Sequence, residues 1–190
     1  MSLLIKRTID IFLSLLGILL FIPIWILIAV LIKVNSSGTV FYKHKRVGIG
    51  GKEFDCFKFR SMYAGSDGNR LVSDPTDKRV TKIGYLLRKT SLDETTQLIN
   101  VLLGDMSIVG PRPALPSQVE QFTSTERDKL LVKPGLTGWT QVNGRNAIPY
   151  EKRMELDCWY ARNWSIVLDL KILLKTPFTI FKQEGIYDVK

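Results

Sequence analysis

The chain has 190 residues, 45% of them hydrophobic, and a net charge of +9 from 27 Lys+Arg against 18 Asp+Glu. These figures exclude a disordered polar chain and a small disulfide scaffold. An uncharged apolar run of about 22 residues, Ile11 to Ile32, excludes a simple soluble enzyme and leaves room for one ordinary domain beside one membrane segment.

That run is the first predicted element. It exceeds the apolar region of a cleaved signal peptide, about 7–15 residues, and no small-x-small cleavage site precedes Lys33. Lys6 and Arg7 flank one end, and Lys33, Lys43, Lys45 and Arg46 flank the other, so both ends are drawn to the cytosol. Pro23, at the midpoint, removes a backbone donor and predicts a kink or break. The residues alone leave a spanning helix and a re-entrant one open. The expected division is a membrane helix over 1–34 and a cytosolic-face domain over 35–190, with Cys56 and Cys158 too far apart for a CxxC zinc or redox site.

Asn35-Ser36-Ser37-Gly38 stops the helix, and Thr39–Val47 and Glu53–Met62 flank Gly48-Ile49-Gly50-Gly51 as a predicted hairpin. The second strand alternates Phe54, Cys56 and Lys58 against Asp55, Phe57, Phe59 and Ser61, and His44 reads as a solvated strand residue. A polar loop from Ala64 to about Lys78 reads as a lid or a mobile segment. Thr81–Lys89 predicts a short basic helix, and Leu92–Leu103 a longer one with Leu98, Ile99, Leu102 and Leu103 on one face before Gly104. VGPRPALP (Val109–Pro116) and KPGLTGWTQVNGRN (Lys133–Asn146) read as turns, with short helices between them, and Pro149 opens a helix to about Trp164. The last helix, Ser165 to about Lys182, sets Ile166, Leu170, Leu173, Leu174, Phe178 and Phe181 against Lys171, Lys175 and Lys182. This pattern suits an amphipathic interfacial helix or ordinary core packing. Asp169 breaks it and needs a cation, with Lys6 or Arg7 as candidates. The expected fold is α-rich α+β: an N-terminal membrane helix, a short β-hairpin and several short helices, without βαβ alternation.

Ser91-Leu92-Asp93-Glu94 carries the chemistry. On its own it reads as a capping box, with Ser91 at the N-cap and Glu94 three residues on. Its neighbourhood adds Arg88, Lys58, Arg60, Arg112 and Arg145, and carboxylates ringed by cations suit nucleophilic or acid-base work on a diphosphate. Adjacent acids also suit magnesium held by one carboxylate and substrate phosphates.

SLDETTQLINVLLGDMSIVGPRP, preceded by KFRSM and followed by KPGLTGWTQVNGRN, resembles the bacterial sugar transferase family, and the likeness runs from the membrane segment to the last helix. The resemblance implies a small monotopic phosphoglycosyl transferase on the cytoplasmic face of the bacterial inner membrane, with a re-entrant helix broken at Pro23. It implies transfer of a sugar 1-phosphate from a UDP-sugar to undecaprenyl phosphate, releasing UMP, with Mg2+. Asp93 corresponds to the family's nucleophile and metal-binding acid, and Glu94 to the second acid of the dyad. Lys58, Arg60, Arg88, Arg112 and Arg145 correspond to positions facing phosphate or nucleotide, and Asp157 to a recurrent acid near the site. The implied partners are the phospholipid membrane and downstream glycosyltransferases. Ile22 stands where many members place a small polar residue before the proline, and the additional N-terminal spans of longer members are not expected. The alternative is a membrane-tethered basic protein that binds anionic lipid or nucleic acid without catalysis, but the bases are scattered among Gly/Pro motifs rather than interleaved with aromatics, so no nucleic acid is expected.

Overall fold

The computed structural model describes residues 1–66 and 77–182. Helix α1 (Ser2–Asn35) leads into a hairpin of β1 (Phe41–Val47) and β2 (Glu53–Phe59), and then α2 (Lys82–Lys89) and a tight turn of 3-10 helix, Leu92–Gln97. After it come α3 (Leu98–Leu103), β3 (Ser107–Val109), the single turn α4 (Pro116–Val119), β4 (Gly135–Thr137) and the single turn α5 (Trp139–Val142). The helices α6 (Tyr150–Asn163) and α7 (Ile166–Lys182) close the chain. Most of the polar loop expected over Ala64–Lys78 lies outside the described residues.

Helix α1 begins well before the apolar run and stays helical through Pro23, so the expected break does not interrupt the helical backbone. Pro23 forfeits one hydrogen bond, that to the carbonyl of Leu19. One stripe of α1 faces the rest of the chain along nearly its whole length. Arg7 donates to the carbonyls of Val101 (2.6 Å) and Leu102 (2.8 Å), and Asp10 accepts from Ser107 Oγ and the Ile108 amide, both at 2.9 Å. Gly17 passes so close to Leu98 that a Cβ would sit 3.0 Å from its Cδ1. Trp25 donates to Thr95 Oγ1 at 2.9 Å, and Ile28 and Ile32 pack with Phe59 and Leu87. These positions follow one another at steps of three, four, seven or eight residues, the spacing of one helix face. The opposite face exposes Phe12, Leu15, Leu19, Ile26 and Val30, among other large apolar residues. This is the one helix among the described residues long and apolar enough to cross a membrane.

Arg60 closes α1, donating to the carbonyls of Ser36 (2.8 Å) and Ser37. Gly38 lies beside it with φ at +116°, and a Cβ there would meet the Arg60 guanidinium at 2.1 Å, so only glycine fits. The hairpin pairs Phe41 with Phe59 through Val47 with Glu53, as the turn glycines predict. Phe54 and Cys56 pack on Val101 and Met106. Asn100, fully buried in α3, clamps β2 by accepting from the Phe57 amide (3.0 Å) and donating to the Asp55 carbonyl (2.8 Å).

Two expectations fail here. The helix predicted over Leu92–Leu103 divides at Leu98, and its buried face is Leu98, Asn100 and Val101, with Leu103 66% exposed. Ser107–Val109, which runs into the first segment read as turns, pairs in parallel with Gly135–Thr137 of the second, Ser107 opposite Gly135 and Val109 opposite Thr137. Gly110 and Gly135 allow this pairing, because a Cβ on either would come within 2.3 Å of the other segment's backbone. Strands of three residues are too short to show alternation.

Helix α7 packs Leu168 and Ile172 against Val109 and Tyr160. Leu170, Leu174 and Phe178 face outward, whereas Leu173 of the same predicted face packs on the core; the side chains of Phe181 and Lys182 lie outside the described residues. Asp169 finds its cation in Lys6, at 2.5 Å, whereas Arg7 serves α3. Tyr160 Oη (2.6 Å) and Trp164 Nε1 (3.0 Å) also donate to Asp169, leaving this buried acid well satisfied.

Candidate active site

The site forms where β2, the Leu92–Gln97 turn and the Gly110–Ala114 segment converge. Asn100 docks β2 on α3 and so directs Lys58 at the turn that precedes α3. The segment bearing Arg112 is tied down on both sides. Gly110 donates to Thr137, Val47 donates to Ala114 (3.0 Å), and Arg46 donates to the Pro113 carbonyl (3.2 Å).

Ser91 is no N-cap. It adopts left-handed φ 57° and ψ 17°, and its side chain caps nothing. The expected capping box is therefore absent: Glu94 turns its carboxylate to cations instead of back to the helix start. Among the described residues only Ser91 and Arg145 combine a side chain with positive φ, and both belong to this site. Such conformations cost about 1–3 kcal/mol and persist only where surrounding contacts enforce them.

Glu94 receives Lys58 Nζ at 2.6 Å and a two-pronged contact from Arg112, at 2.6 and 3.1 Å. Burial pushes its carboxyl up, but Arg112 and Lys58 outweigh burial and hold it well below the usual carboxylate range. Asp93 is 6% exposed, and no hydrogen bond reaches its carboxylate among the described residues. Burial raises its pKa above the ordinary range, opposed by Lys58 and reinforced by the charge of Glu94. The two neighbouring acids are thus unlike: Glu94 is fully engaged by cations, and Asp93 is unengaged and desolvated.

Arg88, in the last turn of α2, donates to Ser61 Oγ at 2.8 Å, and its charge reaches Asp93. Arg145 lies near enough to Arg112 and Glu94 to feel both, and burial, then Arg112, lowers its pKa. The structure thereby gathers Lys58, Arg88, Asp93, Glu94, Arg112 and Arg145. Arg60 is not among them, because it caps α1. Asp157 is buried, accepting from Thr140 Oγ1 (2.5 Å) and paired with Lys129 (2.8 Å) rather than with the cations around the dyad.

Three residues of β1 complete the wall and were not expected there. Tyr42, His44 and Arg46 pair with Lys58, Cys56 and Phe54 in the hairpin register, which puts all six on one face. His44 is not a solvated residue: its ring stacks on Tyr42 at 5.6 Å and accepts from Arg46 Nε at 2.6 Å. Burial, then Arg46 and Lys58, pushes its pKa down to about 3, so it is neutral at physiological pH. Carrying the predicted turn back along both strands by alternation would have placed these residues beside Lys58.

The sequence matches the bacterial sugar transferase family over residues 1–183. The chain belongs to this family. It is 48% identical over 157 residues to an uncharacterized sugar transferase of Bacillus subtilis, EpsL, covering 82% of this chain and 76% of that protein. It is 38% identical to the exopolysaccharide production protein ExoY of Sinorhizobium fredii, covering 96% and 88%. Against the UDP-glucose:undecaprenyl-phosphate glucose-1-phosphate transferase of Escherichia coli it is 43% identical, covering 97% of this chain and 42% of that protein. The chain thus spans less than half of the enteric relative, and the chemistry to explain is that of a sugar transferase.

Proposed function

We propose that the protein transfers a sugar 1-phosphate from a UDP-sugar to undecaprenyl phosphate, releasing UMP, through a phosphosugar bound covalently to Asp93. The observation that carries this reading is the asymmetry of the dyad. A nucleophile must be desolvated and free of competing hydrogen bonds, and Asp93 meets both conditions while Glu94 holds Lys58 and Arg112 in place. Cations in excess of acids, with burial pushing the pKa of Arg46 down to about 10 and lowering that of Arg145, favour binding of a polyanion.

In the first step an Asp93 carboxylate oxygen bonds to the β-phosphorus as the bond from that phosphorus to the bridging oxygen breaks. The electron pair leaves with UMP. In the second step an oxygen of the polyprenyl phosphate displaces Asp93 from the same phosphorus, giving a polyprenyl diphosphate sugar. Lys58, Arg112 and Arg145 offset the repulsion between anions in both steps. Asp93 is the carboxylate free to hold Mg2+, which would supply further positive charge at the diphosphate, whereas Glu94 is already occupied.

We also read α1 as re-entrant, with residues 35–190 forming the catalytic part on the cytoplasmic face of the inner membrane. Lys6 and Ile32 are separated by about 39 Å of helix, more than a bilayer core of about 30 Å, yet both ends touch one domain. The outward stripes of α1 and α7 then contact lipid, keeping the acceptor phosphate near Asp93. Incubating the nanodisc-embedded protein with undecaprenyl phosphate and a panel of UDP-sugars should release UMP with at least one donor. No release from any of them contradicts the reading.

A further inference from the structure

His44 has one ring nitrogen engaged and one not. Nε2 accepts the Arg46 Nε–H at 2.6 Å, so in the neutral ring the proton sits on Nδ1. Nδ1 is buried and has no partner among the described residues. A buried donor without an acceptor is costly, and native proteins rarely leave one. Tyr42 stacks on the ring with planes 11° apart, and Arg46, which holds Nε2, is itself anchored to the Pro113 carbonyl, so both contacts favour this ring orientation.

The surroundings say what the missing acceptor is. Arg46, Lys58 and Arg112 all act on His44, with Glu94 the one acid among them. An acceptor drawn into such a setting is anionic. We propose that His44 is a substrate-binding residue whose Nδ1–H donates to a non-bridging oxygen of the donor's diphosphate while its Nε2 seats Arg46. This rests on the reading of the donor as a nucleoside diphosphate sugar. A neutral ring adds a directional hydrogen bond among crowded cations without adding to their mutual repulsion.

Amide side chains separate the two ends of the ring. Asparagine puts an N–H near the Nδ1 position and cannot reach Arg46; glutamine puts an acceptor near the Nε2 position. The test compares His44→Leu, His44→Asn and His44→Gln in nanodiscs. It reads KM for the UDP-sugar and kcat by UMP release at saturating undecaprenyl phosphate, and Kd for UDP by calorimetry. The expected result is a roughly tenfold rise in KM and in Kd for His44→Leu, with kcat within about threefold of wild type. His44→Asn should return both constants to within about threefold.

An unchanged KM and Kd in His44→Leu overturns the proposal, because the donor then makes no use of Nδ1. So does a His44→Asn variant as impaired as leucine while glutamine restores binding, since His44 then only seats Arg46. Should His44→Leu fail to fold, the asparagine and glutamine pair decides alone. Wild-type protein that binds UDP but releases no UMP would sink the proposed reaction and leave the Kd comparison standing.

Discussion

At the scale of single residues, two adjacent acids owe opposite characters to their partners. Glu94 spends its oxygens on Lys58 and Arg112; Asp93, one residue earlier, is buried and accepts no hydrogen bond. A carboxylate raised by burial must lose its proton before it attacks, so the acid limb of the kcat/KM profile should fall at a pH above the ordinary carboxylate range. An acid limb at or below pH 4 contradicts Asp93 as the attacking group. Stability should move the other way for Glu94. Its folded pKa is depressed, so its contribution is complete above its ordinary value of 4.5 and is lost as pH falls through the folded value. The dyad and its cations were legible in the sequence as residue types, but which acid each cation would choose was not. That choice depends on hairpin register and on Asn100, a polar residue on an otherwise apolar helix that anchors β2 from within.

Elements explain why the turn before α3 has its shape. The sequence pattern of a serine followed by a glutamate suggested an ordinary helix start, but Ser91 is left-handed and Glu94 faces the cations. A β-branched residue tolerates that conformation poorly. Ser91→Val should lower stability by about 1–2 kcal/mol by denaturant unfolding, and Ser91→Gly should not. Equal stability of the two variants would show that the conformation is not enforced. The contact between α1 and α7 was foreseen from the misplaced acid in the last helix, because a charge among Ile166 and Leu173 requires a partner. Lys6→Met should cost about 3–5 kcal/mol by leaving Asp169 buried without its cation, and Asp169→Asn should relieve part of that loss. Strict additivity of the two substitutions contradicts the pair. The β3–β4 pairing escaped sequence reading because its signals, proline and glycine, serve close backbone approach here as well as turning.

For the whole molecule, the apolar run and the basic remainder proved to be parts of one packed unit. Helix α1 buttresses the turn that carries Asp93 and Glu94 through Gly17 on Leu98 and Trp25 on Thr95, while its other face exposes large apolar side chains. Single cysteines placed near Lys6 and Asn35 should both react with an impermeant thiol reagent from the cytosolic side only; labelling from opposite sides would make α1 a crossing helix. The helical pattern and the positive flanks were readable from sequence, whereas the stripe that α1 shares with the domain was not, because Asp10, Ser14 and Gly17 look like interruptions until their partners are known. The central claim, that Asp93 carries the sugar phosphate between two substrates, is tested most directly by intact-protein and peptide mass spectrometry after incubation with the productive UDP-sugar and no acceptor. The account predicts a mass increase of one sugar phosphate, mapped to Asp93, lost on adding undecaprenyl phosphate and absent from Asp93→Asn. Full turnover by Asp93→Asn, or an adduct on another residue, would contradict it.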